Sequence, residues 1–232
     1  MIKLTAYPAN FGEPSASPFC VKSMCMLKAS GLAYEVEETA DPRKSPTGKL
    51  PMLVHDGQLV ADSERIRTHI ERVSGFDFGD GLNSVELAVS HATIRMVEEH
   101  IYFALVADRW MNDENWAHVK VAFFSEIPAL IRPIVTKHIR KQALAQLKGQ
   151  GMGLHSEAER FERVRPDLVS VSELLGDKPF LMGDRPTLAD YSTVPMLRAA
   201  LGTPVPTPMS DFIREKPGLV AYLERGAAAL YA

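Results

Sequence analysis

Strand-like alternation is confined to the first quarter of the chain, and this limits the possible folds more than any other feature. Ile2, Leu4 and Ala6 alternate with polar neighbours and predict a strand over Met1–Tyr7. Tyr34, Val36 and Glu38 alternate with Glu35 and Glu37 and predict a second. Leu50–Val54 reads as a third, and Asp56-Gly57 is a hairpin turn that returns through Gln58-Leu59-Val60. Between the first two strands, Ser17 is a natural N-cap with Pro18 at the first helical position. Val21, Met24 and Leu27 follow at helical spacing, and Gly31 closes that helix. Asp62-Ser63 caps another helix, which carries Ile66, Ile70 and Val73. The order is βαβ and then ββα. The crossover implies a parallel pair and the hairpin adds antiparallel strands.

Beyond Ser74–Ser84, where Gly75, Gly79 and Gly81 mark a linker, only helical periods remain. They run through Val85–Met111, Trp116–Lys148, Ser156–Leu175, Leu188–Leu201 and Leu219–Leu230, and Pro128 and Pro133 are expected to bend the second. In the third, Phe161, Val164, Leu168, Val171 and Leu175 form a core-facing stripe. The expected division is an α/β domain over 1–75, a linker over 76–84 and an all-helical domain over 85–232.

Of the 232 residues, 46% are apolar and 24% charged, which suits a globular protein with a sizeable core. A net charge of −3 argues against nucleic acid as a partner. No apolar run approaches the roughly 20 residues of a membrane helix, and Met1–Tyr7 lacks a signal-peptide pattern. The expectation is a cytoplasmic protein with no membrane partner. Cys20 and Cys25 lie five apart on the first helix, point in different directions, and read as reduced packing thiols. The seven histidines show no ligand spacing, so no metal is expected. Arg132, Lys137, Arg140, Lys141 and Lys148 read as a solvated helix face, and Gly149–Gly153 as a hinge. Tyr102, Phe103, Trp110 and Trp116 fall on or near the first two helices of the second part, as core or as the lining of a pocket between the domains.

Three local patterns carry a resemblance. Ser17-Pro18-Phe19-Cys20 stands at the strand–loop–helix junction where glutaredoxins carry Cys-Pro-Tyr/Phe-Cys. Lys49-Leu50-Pro51-Met52-Leu53, followed by Ala61-Asp62-Ser63-Glu64-Arg65-Ile66, is similar to a glutathione-binding signature, with Asp62 where Glu is usual. Phe180–Asp190 is similar to the segment that opens the core helix of the second domain. Together they resemble the glutathione transferase superfamily, over nearly the whole chain. The long loop at Phe11–Ala16 and the segment Leu147–Gly153 look like the branch with failed-axon-connections-like and metaxin-like proteins and their bacterial relatives.

That resemblance implies a thioredoxin-like domain followed by a helical domain, glutathione as co-substrate, a hydrophobic electrophile, a homodimer and a role in detoxification. It also implies a cis bond at Leu50-Pro51, which would present the Leu50 amide and carbonyl to the cysteinyl part of glutathione. Ser63 and Asp62 would take the γ-glutamyl carboxylate and ammonium, and Lys49 would lie near the glycyl carboxylate. A thiolate at a helix N-terminus is stabilised by free amides and the dipole. Ser17 can add a hydroxyl there or simply cap the helix; Tyr7, at the end of the first strand, is the other candidate hydroxyl. With serine at the first cysteine position, dithiol exchange is absent. A monothiol reductase working through Cys20, and a glutathione-binding or interaction module without turnover, remain as other readings. Thr187 and Asp190 have capping-box spacing and read as structural.

Overall fold

A computed structural model describes residues 1–231. Its first part is the expected α/β unit. Strand β1 (Ile2–Ala6) is followed by α1 (Pro18–Ala29), β2 (Tyr34–Glu38), the hairpin β3 (Met52–His55) and β4 (Gln58–Ala61), and α2 (Ser63–Ser74). The sheet order is β2-β1-β3-β4, with β1 parallel to β2 and antiparallel to β3. This is the thioredoxin-like arrangement. Leu4, Leu53, Met26, Ile66 and Ile70 are buried between the sheet and its two helices.

The second part is all-helical. It comprises α3 (Ser84–Met96), α4 (Tyr102–Trp110), α5 (Asp113–Phe124), α6 (Arg132–Gln150), α7 (Glu157–Leu175), α8 (Leu188–Leu201), α9 (Pro208–Arg214) and α10 (Pro217–Leu230). A π-helical turn over Val97–Ile101 joins α3 to α4. Asn83, Ser156, Thr187 and Thr207 close capping boxes, which fixes where four of these helices begin. Asp190 also accepts from the Leu181 amide and the Tyr222 hydroxyl inside the core, the structural role expected of it. A Cβ at Gly226 would lie 2.6 Å from Val194 Cγ2, so glycine is what lets α10 approach α8.

The expected bent helix over Trp116–Lys148 is instead two helices, α5 and α6, broken at 125–131. Proline lacks an amide and disfavours helical backbone at the residue before it, so Pro128 stops the run. The orphaned carbonyls of the break are met by Arg132, which donates to Ser125 O and Ile127 O at 2.7 Å. Pro133 falls in the first turn of α6, where a missing amide has no consequence. Helix α9, only seven residues, is an element that helical periodicity did not predict.

One apolar core runs through both parts, because α1 packs on α8. The segment 76–83 is docked, with Phe78 against Tyr191 and its carbonyl accepting from the Leu188 amide. A charge network is buried in the same seam. Lys22 of α1 is 1% exposed and meets Glu98 of the π turn at 2.6 Å and Glu64 of α2 at 3.1 Å. Glu98 also accepts from Ser192 and Arg95. Each buried charge therefore has partners, without which it would cost several kcal/mol.

Candidate functional site

The chemistry-bearing residues gather at one end of the sheet. Thr5 pairs with Met52 and Met52 with Ala61. Continuing that register by one residue sets Ala6, Pro51 and Asp62 side by side. The loop after β1 leads from there to the start of α1.

Ser17 is the N-cap of α1, yet its side chain makes no capping hydrogen bond. Its amide donates to Ser15 Oγ at 3.3 Å, and Ser15 Oγ donates to Tyr7 O at 2.7 Å. The Ser17 hydroxyl thus makes no bond to its helix, and its side-chain neighbour is the Cys20 thiol. Cys20 is buried in a small cluster with Ala6, Leu50 and Met52, against which Tyr7 packs. Burial pushes the Cys20 thiol up to about 11, against smaller opposing effects from the Tyr7 backbone and the Ser17 and Ser15 hydroxyls. Cys25 is pushed up to about 12, again chiefly by burial. Both are free, protonated thiols at neutral pH. The Tyr7 phenol is also raised, by burial and then by Cys20 and Tyr102, so it stays a donor.

Leu50-Pro51 is cis. Leu50 is buried just outside β3, and its amide and carbonyl make no hydrogen bond to other described residues. Asp62 caps α2, its Oδ1 accepting from the amides of Glu64 at 2.9 Å and Arg65 at 3.3 Å. It does so from a positive φ of 86°, and no hydrogen bond is made by Oδ2. Ser63 is buried, and its hydroxyl makes no hydrogen bond among the described residues. Lys49 is exposed and forms no ion pair. No group of three or more potential metal ligands occurs among the described residues.

Several residues that shape this end were not found from the sequence. Phe123 of α5 lies edge-on to Tyr7 at 5.1 Å between ring centroids, and Phe11 lies 6.4 Å from Phe123. Arg109 of α4 is buried without a carboxylate partner. It donates to Ala199 O at 2.6 Å and to Ala16 O and Thr203 Oγ1 at 3.4 Å, and stacks 4.1 Å over Phe11. Burial lowers it to about 10, so it remains a cation at neutral pH. Arg198 of α8 holds the buried Glu13 at 2.8 Å. A Cβ at Gly202 would sit 2.5 Å from Phe11 O. The loop that carries Ser17 is therefore strapped down by the helical part. The available signal was the charged pair Asp108-Arg109 within the otherwise apolar stretch Ala104–Trp110.

Residues 18–115 match the family described as glutathione S-transferase N-terminal domain, and residues 164–226 the glutathione S-transferase C-terminal domain. The isoprene-epoxide–glutathione S-transferase of Rhodococcus sp. (strain AD45) is 33% identical over 97% of both chains. The chain belongs to the glutathione S-transferase superfamily. Failed axon connections of Drosophila melanogaster is 31% identical over 91% of this chain, which spans about half (54%) of that protein. Both the bacterial and the failed-axon-connections sides of the expected branch are thus represented. A glutathione transferase from Phanerochaete chrysosporium, GSTFuA3, superposes with a TM-score of 0.69 at 19% identity, covering 98% of this chain and 96% of its own, a likeness of fold. Within this superfamily frame, Ser17, Leu50, Pro51, Asp62 and Ser63 occupy the sheet end and helix starts that the sequence motifs marked. No helix of the described residues is long and apolar enough to cross a membrane.

Proposed function

We propose that this chain binds glutathione at the sheet end of residues 1–75, with 76–84 as the connection to a helical domain over 85–232, and transfers it to a hydrophobic electrophile. What carries the reading is the convergence of polar groups at this end: the Ser17 hydroxyl, which does not cap its helix, the Leu50 amide and carbonyl, and the Ser63 hydroxyl. Leu50 would pair with the cysteinyl backbone of glutathione. Ser63, at the start of α2, would take the γ-glutamyl carboxylate, and Asp62 Oδ2 the ammonium. Lys49 would face the glycyl carboxylate across solvent.

The thiol would then lie over the start of α1. Its proton leaves to water and the thiolate is held by the Ser17 hydroxyl and the helix-end field. Tyr7 is the second donor, its phenol kept protonated. The sulfur lone pair attacks an electrophilic carbon. One C–S bond forms and one bond from that carbon to its leaving atom breaks, that atom taking the electron pair. Tyr7, Phe11 and Phe123 offer an apolar wall for the electrophile. The bacterial relative's name gives an epoxide as its substrate, and a strained or activated small electrophile is the class proposed here. Such transferases commonly work as homodimers in the cytoplasm, and both are part of this proposal.

A second reading keeps glutathione binding but not turnover. Phe123 already lies against Tyr7, which narrows the space above the thiol.

Titration calorimetry tests the shared part. Native protein is expected to bind glutathione, and Asp62→Asn/Ser63→Ala to lose it while Asn keeps the helix cap. No heat up to millimolar glutathione would sink both readings. Binding without turnover of epoxides or aryl halides would select the second.

A further inference from the structure

Helix α2 is tied to the hairpin beneath it by a row of polar groups that the transfer reaction does not use. Arg72 donates to His69 Nδ1 at 3.0 Å and to Gln58 Oε1 of β4 at 3.5 Å. His69 Nε2 lies 3.0 Å from His55 Nδ1, on β3. His55 Nε2 faces Asp56 Oδ2 of the turn at 3.5 Å, and the N-terminal ammonium of Met1 takes the other oxygen of that carboxylate. His69 is buried.

A guanidinium can only donate, so Arg72 assigns every proton along this row. His69 accepts at Nδ1 and carries its one proton on Nε2. His55 then accepts at Nδ1 and carries its proton on Nε2, towards Asp56. The row is complete only while both rings are neutral. A proton on His69 Nδ1 would face the Arg72 donor, and a proton on His55 Nδ1 would face the His69 N–H. The surrounding charges act in the same direction. Arg65 lines the same shallow hollow as His69 and Arg72. Lys22, from α1 on the same helix, is taken up by Glu64 and Glu98. Among the described residues only Asp56 brings a carboxylate within ion-pair reach of either ring, and it is exposed, screened and already paired. Burial first, then Arg72 and His55, hold the His69 ring below the usual histidine range.

We propose that this row is a proton-operated clasp. Closed, it holds the second half of α2 on the β3–β4 hairpin; a proton on either ring opens it and lets that part of the helix lift. An opened clasp exposes rings of ordinary pKa, about 6.5. The closed row binds fewer protons than the open one, so its hold is complete above that pH and is lost as pH falls below it. Asp62 and Ser63 stand at the head of the same helix. The coupling to ligand rests on the glutathione site proposed above: glutathione favours the closed helix and acid the open one, and each weakens the other.

Amide hydrogen exchange reads the clasp. Between about pH 7.5 and about pH 5.5, protection of the amides of residues 70–74, corrected for intrinsic rate, should fall about tenfold, the pull of one ring taken a pH unit below its ordinary value. Protection in α8 should hold. His55→Asn/His69→Gln puts an amide oxygen where Nδ1 accepts and an amide N–H where Nε2 donates, and neither side chain takes a proton. This variant should match the native protein at the higher pH and lose nothing at the lower. Saturating S-methylglutathione, whose sulfur cannot ionise, should restore native protection at the lower pH. The clasp is overturned if native protection does not change over this range, or if the variant loses it equally. It is also overturned if nitrogen-15 shifts of the native protein put the His69 proton on Nδ1 at the higher pH, a measurement that needs no variant to fold. S-methylglutathione that binds by calorimetry yet restores nothing would overturn the coupling. S-methylglutathione that does not bind would sink the glutathione site, with the clasp still decided by exchange and tautomer.

Discussion

At the residue scale, a serine at a helix N-cap ordinarily gives its hydroxyl to an amide of the first turn, and replacing it by alanine costs about 1 kcal/mol. Ser17 makes no such bond. Ser17→Ala should therefore change stability by less than about 0.5 kcal/mol while lowering glutathione-dependent turnover roughly tenfold, the worth of a hydrogen bond to a charged group. Turnover requires the thiolate, so it rises with pH through the bound thiol's pKa. Loss of a donor to the thiolate raises that pKa, and the rise should move up by about one pH unit. Thermal melts beside a pH–rate profile check both parts. A stability loss with an unmoved profile would return Ser17 to a plain cap, and a shift confined to Tyr7→Phe would make Tyr7 the donor. Cys20→Ala should keep turnover, because a thiol held near 11 is protonated at neutral pH. Its loss would revive the reductase reading.

At the scale of elements, what the sequence showed and what it hid have separate causes. Ser17, Pro51, Asp62 and Ser63 sit at element ends, where caps, prolines and turns write local rules into neighbouring residues. They were legible for that reason. The sheet with its crossover helix was legible from its change of period, and Thr187 with Asp190 from a spacing of three. The break at 125–131 was hidden because Phe123, Phe124, Ile127 and Ile131 keep an apolar rhythm across Pro128. Helix α9 is too short to show a period. Arg109 and Phe123 act on residues some ninety or more positions away, which no local pattern encodes. Arg109 tests the strap. Lysine keeps the charge but lacks the planar fork that reaches several acceptors at once. Arg109→Lys should destabilise by about 1–3 kcal/mol through carbonyls left unmet. It should also shift the pH–rate profile in the same direction as Ser17→Ala, with glutathione affinity held by Leu50 and Ser63. A lower melting temperature with an unmoved profile would reduce Arg109 to a structural role.

At the scale of the whole molecule, the two parts share one core and a buried charge network centred on Lys22 and Glu98. They should unfold together. Each part carries its own reporter: Cys20 and Cys25 are buried in the first, and both tryptophans lie in the second. Reactivity of the cysteines and emission of the tryptophans should follow one coincident transition in denaturant, the mark of all-or-none unfolding. Cysteines that react well before the tryptophan signal changes would show that the sheet part opens alone.

The strap on the first loop also bears on how the protein comes into being. A ribosome delivers the chain N-terminus first, at some 5–20 residues per second. The loop before α1 is made ahead of the helical part. Its anchors at Arg109, Arg198, Ala199 and Gly202 arrive later, in the order of the chain. A nascent sheet can form early, but the serine at its edge acquires its final setting only after α8 has been made. On the proposed function, thiol chemistry is thereby withheld from the growing chain until α8 has docked.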